Sequence, residues 1–146
     1  MNNTKKKKII GYTTGVFDLF HVGHLNLLKN ARSMCDKLIV GVTSDELVMY
    51  KGKKSVIPHD ERMRIVRSVK YVDTVVSQND MNKYEMWERL KFDVIFVGDD
   101  WYKTKKWQEF EEEFKKVGVK IVYFPYTQGT SSTLINQLLL KLRESH

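Results

Sequence analysis

The chain has 146 residues, 42% hydrophobic and 29% charged, with a formal net charge of +7. This is the size and balance of one globular domain with its own core, expected over 1–146 with 1–8 as a basic lead-in. No apolar run reaches the ~20 residues that cross a bilayer. Met1–Lys8 is unlike a signal peptide, and a single cysteine excludes a disulfide framework and fits a reducing cytoplasm.

Strands are predicted at Ile9–Thr14, Lys37–Thr43, Thr74–Ser77, Val94–Gly98 and Lys120–Phe124, where short Val- and Ile-rich runs recur. Helices are predicted at His24–Met34, Asp60–Ser68, Lys83–Leu90, Lys106–Val117 and Ser131–Arg143, where apolar residues return with helical spacing. Cys35 falls on the apolar side of the first helix and reads as a small core residue. The stretch from Ser44 to His59 is the least regular, and its basic Tyr50–Ser55 core reads as a mobile loop over a phosphate. Pro58 precedes the second helix and Pro125 ends the fifth strand. Alternating βα units imply an α/β fold with an open, doubly wound, parallel five-stranded sheet. Ligands of such sheets sit beyond the carboxyl ends of the strands. Gly15–His24, Asp99–Trp101 and Thr127–Thr133 all fall there.

His21-Val22-Gly23-His24 stands at the first strand-to-helix junction, where unpaired backbone N–H groups and the helix dipole favour an anion. Gly23 lets a ligand approach the backbone. Two imidazoles three residues apart can aim at one phosphate, as cations or as neutral single donors. A structural zinc site would need more ligands, and the other histidines are the distant His59 and His146. The lysines are scattered, with clusters at 5–8 and at Lys51, Lys53 and Lys54, and no basic block is interleaved with aromatics. The charge therefore points to a polyphosphate ligand rather than to nucleic acid or membrane insertion.

The string Gly15-Val-Phe-Asp-Leu-Phe-His-Val-Gly-His24 resembles the signature of the HxGH nucleotidyltransferases, and most of all their cytidylyltransferase branch. Gly98-Asp-Asp-Trp101 and Thr127-Gln-Gly-Thr-Ser-Ser-Thr133 resemble its nucleoside-reading and late phosphate-binding segments, so the resemblance runs from Ile9 to about Leu140. It implies a Rossmann-like nucleotidyltransferase fold and transfer of CMP from CTP to a small phosphorylated alcohol. Glycerol 3-phosphate is the first choice of acceptor. Mg²⁺ accompanies CTP with no metal site of the protein's own, and the enzyme is a homodimer. Phosphocholine, phosphoethanolamine, another polyol phosphate, adenylyl transfer from ATP, and a non-catalytic nucleotide-binding module are the alternatives.

By the same resemblance, His21, His24, Lys51 and Arg62 are the catalytic residues. Thr14, Gly15, Phe17, Gly23, Asp100, Thr127, Ser131 and Ser132 hold the nucleotide, with Asp100 facing the cytosine amino group. Asp18, Lys53, Lys70 and Tyr126 meet the substrate, although Asp18 also reads as a turn residue. Three positions depart from the family pattern: Tyr126 and Lys70 stand where arginine is usual, and Gln128 where glutamate is common. Each arginine replaced removes a planar fork for phosphate.

Overall fold

The computed structural model describes residues 7–98, 104–125, 137, 138 and 140–142. Five strands form one parallel sheet: β1 (Ile10–Gly15), β2 (Lys37–Thr43), β3 (Thr74–Gln78), β4 (Val94–Gly98) and β5 (Lys120–Phe124), in the order β3-β2-β1-β4-β5. The helices are α1 (Val22–Ser33), α2 (Asp45–Tyr50), α3 (His59–Arg67), α4 (Lys83–Leu90) and α5 (Lys105–Lys116). Residues 137, 138 and 140–142 are helical and exposed, inside the expected last helix.

The strands bury both faces because apolar residues occupy both phases of the pleat. Leu38, Val40, Val42, Val94 and Phe96 point to one side and pack on Leu28 and Ala31 of α1 and Val66 of α3. Ile39, Ile95 and Val97 point to the other and meet Met86 of α4 and Trp107 and Phe114 of α5. The winding reverses where β1 meets β4, which opens a crevice above their carboxyl ends. The opposite rim is closed by aspartates. Asp93 Oδ2 accepts from Ile10 N at 2.8 Å, and Asp73 Oδ2 from Leu38 N at 2.8 Å. Asp73 also pairs with Arg32 at 3.0 Å.

Two expectations are corrected. The supposedly irregular Ser44–His59 stretch contains α2, whose first turn is capped by Ser44 Oγ accepting from Leu47 N. The helix closes in a Schellman turn: Lys53 N donates to Val48 O, Gly52 N to Met49 O, and Gly52 adopts φ +77°. The basic segment is thus launched from a built turn. Cys35 is buried as expected, but it lies in the turn after α1, where its Sγ donates to Ala31 O at 3.4 Å.

Candidate active site

The β1–α1 loop brings His24 to the crevice, with the His21 ring beside it at 4.0 Å between centroids. It turns through two non-glycine residues with positive φ, Phe17 at 54° and Leu19 at 49°, a strained conformation that needs outside support. Phe17 supplies it by burying its ring in the core. A Cβ on Gly15 would stand 2.9 Å from that ring, so only glycine lets it fold back. Phe17 was expected to hold nucleotide; it anchors the loop and sets its edge against His24, with ring centroids 5.4 Å apart.

His21 and His24 form a reciprocal capping box at the start of α1. His21 Nδ1 accepts from Gly23 N at 3.0 Å, and His24 Nδ1 accepts from His21 N at 3.2 Å. Each Nδ1 must therefore carry a lone pair, so each ring is neutral with its hydrogen on Nε2. The electrostatics agree. Burial lowers the pKa of His21, while burial and the neighbouring His21 push His24 down to about 4 against the opposing pull of Asp18. The result is two fixed N–H donors at the positive end of a helix. Gly23 contributes by lacking a side chain; its own N–H is taken by His21.

Two connected lobes open above the sheet. One, of about 460 Å³, is lined by His24, Asp18, Phe17, Lys53 and Lys54. The other, of about 500 Å³, is lined by Lys51, Lys53, Lys83, Lys106, Gln78 and the aromatic wall of Trp107 and Phe110. Thr14, Gly15 and Val16 line both. Among the described residues, four lysines and no carboxylate line the larger lobe. The lysines sense one another: burial first, then Lys53 and Lys106, lowers the pKa of Lys51. Such a lobe fits an anion.

Asp18 is buried and holds the far side of the smaller lobe. Its Oδ2 accepts from Val56 N at 2.7 Å and its Oδ1 from Ile57 N at 2.9 Å, so it fixes a segment 38 residues away. It is the one carboxylate lining that lobe among the described residues.

Two expected roles are corrected. Arg62 is 0% exposed. Its Nη1 donates to Val16 O and Thr43 O, each at 2.7 Å, its Nε to Ile57 O at 2.8 Å and its Nη2 to Asp45 Oδ1 at 2.6 Å. It ties β1, β2, α2 and α3 together and has no open face for a phosphate. Lys70 precedes β3, at the amino-end rim of the sheet, with its Nζ 5.2 Å from the Tyr71 ring centre. The crevice lies at the opposite rim, so within one chain Lys70 does not reach it. Asp100, Tyr126, Thr127, Ser131 and Ser132 lie outside the described residues.

The lining residues Lys83, Gln78 and Lys106 have no counterpart among the site residues read from the sequence. Lys83 left one signal, since a lysine in the first turn of a helix faces the positive end of its dipole. Gln78 left none.

The family model described as cytidylyltransferase-like matches residues 12–138. A glycerol-3-phosphate cytidylyltransferase of Staphylococcus aureus is 37% identical over 134 residues, covering 91% of this chain and 95% of the relative. An FAD synthase of Thermococcus kodakarensis is 31% identical over 145 residues, covering 97% and 96%. Among solved structures, a lipopolysaccharide core biosynthesis protein of Thermoplasma volcanium superposes with a TM-score of 0.70 at 25% identity, covering 85% of this chain and 100% of that one.

Proposed function

The chain belongs to the cytidylyltransferase-like family, and on that premise we propose that it transfers CMP from CTP to the phosphate of a small alcohol phosphate, glycerol 3-phosphate foremost. The products are a CDP-alcohol and pyrophosphate. The observation that carries the reading is the histidine capping box, which fixes two neutral Nε2–H donors at the start of α1, with His24 lining the smaller lobe beside Lys53 and Lys54.

The chemistry asks little of the protein beyond placement and charge. The acceptor phosphate is already an anion, so no general base is needed when its oxygen attacks the α-phosphorus. What is needed is alignment of two repelling anions and stabilisation of the charge passing to pyrophosphate. His21 and His24 donate to the phosphate in transit without changing protonation state. Lys51, Lys53 and Lys106 neutralise the anions that meet in the larger lobe. Arg62 and Asp18 act indirectly, by holding the loops that form the walls.

Among the described residues no three His, Cys, Asp or Glu side chains cluster to hold a metal ion. Mg²⁺ in this reading arrives on CTP, where it supplies charge neutralisation to the phosphates; this matches its preference for phosphate, water and at most one or two carboxylates. No helix among the described residues is long and apolar enough to cross a membrane. A homodimer and a cytoplasmic location belong to the same proposal, on the family resemblance and the single buried cysteine.

A second reading, adenylyl transfer, is favoured by the likeness to an FAD synthase over nearly the full length of both chains. Pyrophosphate release decides, measured with Mg²⁺ and either CTP or ATP against glycerol 3-phosphate, phosphoethanolamine and FMN. Release from CTP with an alcohol phosphate is expected. Release only from ATP with FMN replaces the cytidylyl reading, and no release in any pairing rejects catalysis by these groups.

A further inference from the structure

The larger lobe contains a cluster that the transfer chemistry does not use. Lys83 is the first residue of α4 and is 7% exposed. Its Nζ donates to Thr14 Oγ1 at 2.9 Å, and no carboxylate among the described residues pairs with it. The side chain is buried, sits at the positive end of a helix and faces Lys51 and Lys106; among the described residues Asp80 is the favourable charge acting on it. Burial and the two lysines outweigh Asp80 and disfavour a cation there, and among the described residues Thr14 is the one hydrogen-bond acceptor that its Nζ meets.

Gln78, the last residue of β3, carries the second observation. It is 3% exposed, and its Oε1 accepts from Thr43 Oγ1 at 2.8 Å. Its Nε2 is buried with no hydrogen-bond partner among the described residues, and the residue lines the same lobe as Lys83 and Thr14. Native proteins rarely leave a buried amide unpaired. Thr14 Oγ1 accepts from Lys83 and still has its own proton to give. The lobe therefore offers donors with no acceptor at this point: Nζ, Nε2 and a hydroxyl.

Accepting cytidylyl transfer as the activity, we propose that Lys83, Gln78 and Thr14 form the pocket that recognises the acceptor, and that they select an oxygen-rich, uncharged or anionic alcohol phosphate against one bearing an ammonium group. Hydroxyl and phosphate oxygens of a polyol phosphate satisfy all three donors. An ammonium or trimethylammonium group brings no acceptor, and sets a cation against Lys83 with Lys51 and Lys106 behind it. The position suits an acceptor, because Thr14–Val16 is the wall shared with the lobe of His24. A molecule held at Lys83 therefore lies next to the lobe that His24 lines.

Initial rates of the full chain with CTP test this, using glycerol 3-phosphate, phosphoethanolamine and phosphocholine as acceptors. The wild type is expected to favour glycerol 3-phosphate by about a hundredfold in kcat/KM, as two hydrogen bonds and one repulsion separate the acceptors. Lys83→Met is expected to raise KM for glycerol 3-phosphate about tenfold or more, leave KM for CTP within about twofold and narrow the preference. A structural role alone would not split the two KM values. Gln78→Leu is expected to act in the same direction and serves if Lys83→Met does not fold. Equal use of phosphoethanolamine by the wild type, or an unchanged acceptor KM in both folded variants, overturns the pocket while cytidylyl transfer stands. Absence of turnover of CTP with every alcohol phosphate overturns the transfer reading and this one with it.

Discussion

Removing the charge of Lys83 should make the protein more stable, and by an amount that depends on pH. Burial, then repulsion from Lys51 and Lys106, lowers its pKa from the usual 10.5 to about 7, with Asp80 opposing. Unfolding returns the side chain to water and to its usual pKa. Between pH 7 and 10.5 the unfolded chain therefore binds a proton that the native chain lacks, and stability rises with pH across that window. The burden this lysine places on folding is about 4 kcal/mol at pH 7 and falls to about 1 kcal/mol at pH 10. Methionine has similar length and no charge. Lys83→Met also loses the bond to Thr14, worth about 1 kcal/mol. The net gain is then about 3 kcal/mol at pH 7 and close to zero at pH 10.

Urea unfolding of both proteins at pH 7 and pH 10 measures this. The difference between variant and wild type cancels the titrations common to both. A variant no more stable than wild type at pH 7, or a gain that persists at pH 10, would refute the account of Lys83 as a buried, underpaired cation. A residue whose removal stabilises the fold while impairing one substrate's binding is what a functional site retained against stability looks like.

Two further perturbations separate residues that serve the fold from those that serve the chemistry. His21→Asn keeps a side-chain acceptor for Gly23 N, so its stability should stay within about 0.5 kcal/mol of wild type while turnover falls about 10²–10³-fold with the lost Nε2–H donor. Thermal melts and pyrophosphate release read the two effects, and a stable variant with undiminished turnover would remove His21 from the chemistry. Arg62→Met strands three backbone carbonyls and Asp45, and should cost about 3–5 kcal/mol in urea unfolding. A loss under about 1 kcal/mol would show that Arg62 is not the tie it is drawn as here.

The sheet was legible because its strands are short Val- and Ile-rich runs separated by turns. Lys37–Thr43, Val94–Gly98 and Lys120–Phe124 begin and end where their sequence predicts. The helix Asp45–Tyr50 was not legible, because six residues are too few to show a period, although Ser44 followed by Asp45 and Glu46 is a helix-start pattern. The histidine pair was legible as the start of the first helix, through its place after β1. Its protonation state was not, since that follows from which nitrogen the backbone engages. Lys70 read as a substrate contact, whereas it stands at the amino-end rim, where Asp73 ties β2 to β3.

Arg62 and Lys83 show where a reading by residue type fails and what replaces it. Both are cations, both are buried, and both stand near the crevice. Arg62 has five N–H donors and makes four hydrogen bonds, one of them to a carboxylate, so its charge is answered within the protein. Its burial on those terms is structural. Lys83 has three donors, makes one hydrogen bond to a neutral hydroxyl and has no carboxylate partner among the described residues. The fold carries that cost and the pKa of Lys83 falls to about 7 in answer, whereas an anionic, oxygen-rich ligand would offset it. The same test applied to Gln78, with one amide end bonded and the other buried and unpaired among the described residues, returns the same answer from a neutral side chain. Two residues of different charge, on different elements and lining one lobe, are thus each incomplete in the direction of an acceptor oxygen.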